Sequence, residues 1–148
     1  MKPFVVNFFA GPGCGKSTTS AALFAHFKYE GYNVEYAQEY AKELVWLNKP
    51  LIQSEIFRGT AERLTIANKV EFLITDGPIL QQLAYTDNPT LRQAIIDEHS
   101  KYRNINIHLV RSQERKYNPK GRTQTEAQAK VLDDEIYQLL MDQGVDFY

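Results

Sequence analysis

Residues 8–21 read FFAGPGCGKSTTSA, an apolar run that stops in three glycines and continues into a lysine and hydroxyls. Gly11, Gly13 and Gly15 free the backbone to take left-handed turns, so that successive N–H groups converge on one concavity. Such a concavity suits an anion, and a helix starting near Lys16 adds the positive end of its dipole. Ala10-x-x-x-x-Gly15-Lys16-Ser17 fits the phosphate-binding loop, with alanine where the strictest pattern has glycine. In that pattern Lys16 reaches the β and γ phosphates and the Ser17 hydroxyl coordinates Mg²⁺. The chemistry expected of Gly11, Pro12, Gly13, Cys14, Gly15, Lys16, Ser17 and Thr18 is therefore binding of ATP with Mg²⁺. Cys14 fills a free position of the pattern, with a thiol open to a lowered pKa near a helix N-terminus.

Acids and further cations stand elsewhere in the chain. Asp76 closes the apolar run VEFLIT (70–75), where a carboxylate holds the metal's water shell or takes the proton of an attacking hydroxyl. The competing reading is a turn cap before Pro78. Glu39 follows the run NVEYA and has two candidate roles, acceptor of a hydroxyl proton or partner of a sugar hydroxyl. Against it, Glu35, Glu39 and Glu43 recur at i, i+4, as a solvated helix stripe does. Between 111 and 122 the sequence RSQERKYNPKGR carries Arg111, Arg115 and Arg122, whose forks suit the charge that spreads over a transferring phosphoryl group. Arg58 and Arg63 are weaker candidates beside an acceptor. Tyr40 and Tyr117 are candidates to stack on a base. His26, His99 and His108 show no metal-ligand spacing.

These groups need a scaffold that gathers them. Strand-length apolar runs at 4–10, 33–37, 70–75 and 105–110 alternate with helical patterns at 16–31, 39–47, 53–68, 78–102 and 125–144, and 145–148 reads as a short fifth strand. Thr125 and Gln128 form a capping box. Such alternation implies an α/β fold, a parallel sheet covered on both faces, with ligands at the carboxyl ends of its strands. Residues 10–18, 38–39, 76–78 and 111–122 are expected to meet there. The 148 residues suit one domain, 1–148. A formal net charge of −1 advertises no long polyanion as partner. The single cysteine suits a reducing cytosol, and no apolar run approaches the roughly 20 residues that cross a bilayer. The expected location is cytoplasmic, with no membrane partner.

The stretches NFFAGPGCGKSTTSAALF, VEYAQEYAKELVW, FLITDGPILQQLAY and GRTQTEAQAKVLDDEIYQLL together resemble the small P-loop kinases that include bacterial nicotinamide-riboside kinases. They are also similar to short ATP-binding proteins encoded by bacteriophages. The likeness runs from residue 4 to about 144. It implies a nucleoside/nucleotide-kinase fold, three layers α/β/α around a five-stranded sheet ordered 2-3-1-4-5, with a lid at about 111–123. It also implies that Glu39 is the acid of the EYA motif and that Arg122 belongs to the lid's GR. No guanine-reading Asn-Lys-x-Asp follows INIHLV, and an AAA⁺ or helicase motor usually needs a larger chain. The leading expectation is a kinase of a nucleoside-like small molecule. The alternatives are a kinase of a modified base or 5′ end in DNA, and a regulatory nucleotide-binding protein.

Overall fold

The computed structural model describes residues 1–114 and 116–148. Strands β1 (Phe4–Phe9), β2 (Val34–Ala37), β3 (Phe72–Thr75) and β4 (Arg103–His108) form one parallel sheet in the order β2-β3-β1-β4. Helices α1 (Lys16–Tyr29), α2 (Tyr40–Trp46), α3 (Gln53–Leu64), α4 (Pro89–Ser100) and α5 (Glu126–Asp142) connect the strands or follow them. Two 3₁₀ segments, Thr65–Lys69 and Ile79–Tyr85, take parts of the regions expected to be helical.

The central strand shows how the layers form. In FVVNFF nearly every residue is buried, as a parallel strand covered on both faces requires. Val6 and Phe8 share a core with Leu23, Phe24 and Phe27 of α1. On the other face, Val5 packs with Leu64 and Ala67, and Phe9 with Ile136 and Leu140 of α5. Asn7 interrupts the apolar pattern and is 2% exposed. Its amide donates to Asn104 Oδ1 (2.9 Å) and Asn106 Oδ1 (3.1 Å) on β4, so burial leaves it satisfied.

The fifth strand expected at 145–148 does not form, and the sheet has four strands. The segment does lie along β4, but only Tyr148 makes ladder bonds there, donating to Asn106 O and accepting from His108 N (both 2.9 Å). Val145 and Phe147 instead pack against the α5 core. The β4 strand begins two residues earlier than its apolar run suggested, because Arg103 stacks on Phe4 (4.1 Å) and pairs with it in register. The capping box of α5 forms as expected. Thr125 Oγ1 accepts from Gln128 N (3.2 Å), and Gln128 Oε1 accepts from Thr125 N (2.8 Å).

Candidate active site

Each strand of the sheet delivers one piece of the site at its carboxyl end. After β1 the chain turns through Gly13 (φ 75°) and Gly15 (φ 98°), both in the left-handed region that glycine enters without strain. Lys16 opens α1, is 8% exposed, and its Nζ donates to Ala10 O (2.9 Å). Ser17 Oγ accepts from Lys42 Nζ of α2 (3.4 Å). Gly11 lies against α5, where an added Cβ would stand 2.2 Å from Asp133 Oδ1 and 2.6 Å from Ala129 O. Its N–H donates to that same Asp133 oxygen (3.0 Å). Cys14 is half-buried, with its thiol toward Leu109 O (3.6 Å).

The ends of β2 and β3 form one unit. Asp76 is fully buried, and its Oδ1 accepts from the Glu39 N–H (2.8 Å). Gly77 makes the approach possible, since a Cβ there would stand 2.7 Å from Glu39 Cα. Asp76 Oδ2 has no hydrogen-bond partner among the described residues. Beside it, Tyr36 bonds Ser20 Oγ (3.0 Å), and burial with the nearby Asp76 charge holds the phenol protonated. Glu39 is half-buried and lines the cleft. Burial raises its carboxyl above the ordinary range, Lys16 opposes this, and Asp76 adds to it. The i, i+4 recurrence of Glu35, Glu39 and Glu43 is not a helix stripe. Glu35 lies in β2, where it pairs with Lys28 (3.2 Å), and only Glu43 lies within α2, paired with Arg63 (2.8 Å).

A cavity of about 450 Å³ joins these parts. Pro12, Gly13, Gly15, Lys16, Ser17 and Thr18 line it, together with Glu39 and Arg122. Tyr40, Val45, Leu51, Ile56 and Tyr85 add apolar and aromatic wall. Two residues of the expected lid, Arg111 and Tyr117, lie against the glycine loop. Tyr117 stands where a Cβ on Gly13 would meet it at 2.8 Å, and Gly121 (φ 73°) packs against the Trp46 ring. Arg122 lies 5.6 Å from the Tyr117 ring and donates to the carbonyls of Asn118 and Lys120.

Arg111 stands elsewhere than its neighbours in sequence. It forks onto Asp133 (2.6 and 2.9 Å) and donates to Pro12 O (2.8 Å), and it is not part of the cavity wall. Arg115 lies outside the described residues. Arg58 is a surface residue paired with Glu55 and Glu62, while Arg63 stacks on Tyr40 (4.2 Å). The histidines join no cluster of possible metal ligands among the described residues. Sequence reasoning missed Asp133, Lys42, Thr60, Gln81, Gln82 and Tyr85. Within LDDE, Asp133 is indistinguishable from a solvated helix acid, and the two glutamines belong to no motif.

The donor set fits the groups expected there. The positive-φ glycines at 13 and 15 turn the backbone at the N-terminus of α1 and line the cavity there, as a triphosphate cradle needs. For Mg²⁺, the unpartnered Asp76 Oδ2 and the Ser17 hydroxyl are hard oxygen donors. Few protein ligands are needed, since Mg²⁺ usually keeps several waters and binds substrate phosphates.

Residues 5–148 match a protein family described as an AAA domain. The chain belongs to that family. Thymidylate kinase from Ehrlichia chaffeensis is similar in fold, with a TM-score of 0.67 and 13% identity over 100% of this chain and 86% of that one. A second solved structure, described as APE1195, gives a TM-score of 0.50 and 21% identity over 96% of this chain and 78% of that one. Both likenesses bear on fold, and the fold is of the P-loop kinase kind. No curated protein sequence matches the chain. Among the described residues no helix is long and apolar enough to cross a membrane.

Proposed function

We propose that the protein is an ATP- and Mg²⁺-dependent phosphotransferase acting on a nucleoside-like small molecule. One observation carries the reading. The glycine loop lines the same cavity of about 450 Å³ as a set of apolar and aromatic side chains, with Glu39 in its wall. A nucleotide-binding regulator needs the glycine loop only. The volume lies within the range of small-molecule sites, roughly 300–1,000 Å³.

In this reading the loop N–H groups and Lys16 hold the triphosphate, and Arg122 adds charge to the γ-phosphoryl oxygens. Glu39, with its raised carboxyl, takes the proton from the acceptor hydroxyl. Asp76 fixes the Glu39 backbone through its 2.8 Å bond and, with Ser17, would hold Mg²⁺, whose charge would offset that of the phosphates when bound. Glu39 lines the cavity whereas Asp76 is fully buried, which supports Glu39 as the base. Arg111 steadies the loop from outside. Closure of the 111–123 segment excludes water, which competes with the acceptor for the phosphoryl group.

The DNA-directed alternative called for a basic groove from the 111–123 segment past residues 101–103. Arg103 begins β4 beside Phe4, at the opposite end of the sheet from the glycine loop, and Lys101 pairs with Glu98. The geometry adds no support to that alternative.

The test is ATP turnover with Mg²⁺ and a panel of nucleosides, nucleoside monophosphates, nicotinamide riboside and DNA oligomers with and without hydroxymethylated bases. Products are read by mass spectrometry, with Lys16→Ala as control. A phosphorylated small molecule that disappears in Lys16→Ala supports the reading. ATP binding without transfer to any acceptor overturns it.

A further inference from the structure

The two adjacent glutamines of the 3₁₀ segment after β3 differ in one respect. Gln81 spends its amide on the start of the glycine loop, accepting from Ala10 N (3.3 Å) and donating to Ala10 O (3.1 Å). Gln82 is 8% exposed and lines the cavity, yet its Oε1 has no hydrogen-bond partner among the described residues. A buried amide oxygen without a donor is costly, and native proteins rarely leave one so.

Which end of the Gln82 amide is left unpartnered follows from proton counting. Thr60 Oγ1 donates its one proton to Ile56 O (2.7 Å). Toward Gln82 it acts only as acceptor, so the group 2.9 Å away is the amide nitrogen. The carbonyl oxygen is thereby fixed as the unpartnered end, itself buried in a residue that lines the cavity. It asks for an N–H or O–H donor.

The surroundings narrow the donor. From α3 and the 3₁₀ segment, the cavity wall takes Gln53, Ile56, Thr60, Gln81, Gln82 and Tyr85, none of them charged. The cations of the wall come from the glycine loop, from Lys42, which reaches Ser17, and from the 111–123 segment. An acceptor phosphate placed among the α3 residues would find no counter-charge there, whereas an uncharged aromatic ring fits the apolar and aromatic side chains.

We propose that Gln82, oriented by Thr60, is the specificity-determining residue of the acceptor site, reading an N–H donor on an uncharged heterocycle. The proposal rests on the kinase reading for the acceptor's role but not for its binding, so the two can fail separately. It predicts that nucleosides bind in preference to nucleoside monophosphates. It also predicts that methylating the ring N–H weakens binding.

The test measures calorimetric affinity, without ATP, for uridine, N3-methyluridine, inosine, N1-methylinosine and the two parent monophosphates. At least one unmethylated nucleoside is expected to bind about 10- to 100-fold more tightly than its methylated partner, the range of one desolvated hydrogen bond. Gln82→Leu is expected to erase that ratio while leaving ATP affinity unchanged. Thr60→Val, which frees the amide to flip, is expected to shrink the ratio even if Gln82→Leu fails to fold. Binding of no nucleoside, equal binding of methylated and unmethylated forms, tighter binding of the monophosphates, or an unaltered ratio in a folded variant overturns the proposal. Nucleoside binding with the expected ratio but no phosphoryl transfer sustains it and sinks the kinase reading instead.

Discussion

Replacing Asp133 with asparagine tests whether α5 holds the nucleotide loop in place. The carboxylate accepts three hydrogen bonds, two from the Arg111 fork (2.6 and 2.9 Å) and one from Gly11 N–H (3.0 Å). Asparagine keeps one oxygen but turns an N–H₂ toward donors and removes the charge that Arg111 answers. Hydrogen bonds to a charged group are worth about 1.5–3 kcal/mol net, and breaking a fully buried ion pair costs about 3–5 kcal/mol. Here the side chains are 15% and 21% exposed, so solvent recovers part of that loss. We expect destabilisation of about 2 kcal/mol, which for a chain of this size lowers Tm by about 4–8 °C. The larger consequence falls on the loop. With Gly11 N–H and Pro12 O no longer fixed through Asp133 and Arg111, the cradle must be ordered when nucleotide binds, and ATP affinity is expected to fall about tenfold. Thermal melts with and without Mg²⁺-ATP separate the two effects. Asp134→Asn, at the exposed next position, serves as control and is expected to shift Tm by less than about 2 °C. An Asp133→Asn protein that melts and binds ATP as the parent does would refute the clamp.

Gly59→Ala pits helix preference against packing. Alanine favours the α3 interior by about 1 kcal/mol, but its Cβ would stand 2.0 Å from the Tyr40 ring, so a net loss of about 1–2 kcal/mol in urea melts is expected, with a weaker acceptor site. Burial lowers His99 to about 4 from 6.5, so between those values the unfolded chain binds more protons than the native one. This contribution is complete above pH 6.5, is lost as pH falls toward 4, and amounts to at most about 3 kcal/mol. Urea midpoints against pH should flatten over that window in His99→Gln. Glu39→Gln is expected to lower kcat about 10²- to 10³-fold with little change in ATP affinity. The raised Glu39 carboxyl places the acid limb of the parent's pH–rate profile above the ordinary glutamate range, and that limb should vanish in the variant.

Much of the scaffold was legible because its signals are local. Glycines fit only certain backbone angles, Thr125 and Gln128 cap each other three residues apart, and a doubly covered strand must read as FVVNFF. The fifth strand was misread because VDFY has strand character, but its apolar side chains pack against the α5 core rather than in the sheet. The site divided along the same line. Lys16, Ser17 and Asp76 are tied to a strand end by sequence, and each stands just beyond the carboxyl end of its strand. Arg111 and Arg122 look alike in RSQERKYNPKGR, yet one faces Asp133 of α5 and the other the cavity. That difference depends on a residue 22 positions from Arg111, beyond the reach of any local pattern. Gln82 was invisible for the same reason, since what sets it apart from Gln81 is the distant Thr60.

Trp46 gives the molecule an optical probe of its own. It is the single tryptophan of the chain, 60% exposed at the end of α2, with its indole against Gly121. Because Gly121 adjoins Arg122, the indole touches the backbone next to a cavity-lining cation. Outward movement of the 111–123 segment would leave the ring in bulk water and shift its emission to the red. Stopped-flow fluorescence of the unlabelled protein can therefore time closure over ATP and, separately, over an acceptor. A rate equal to turnover would identify that movement, rather than phosphoryl transfer, as the slow step.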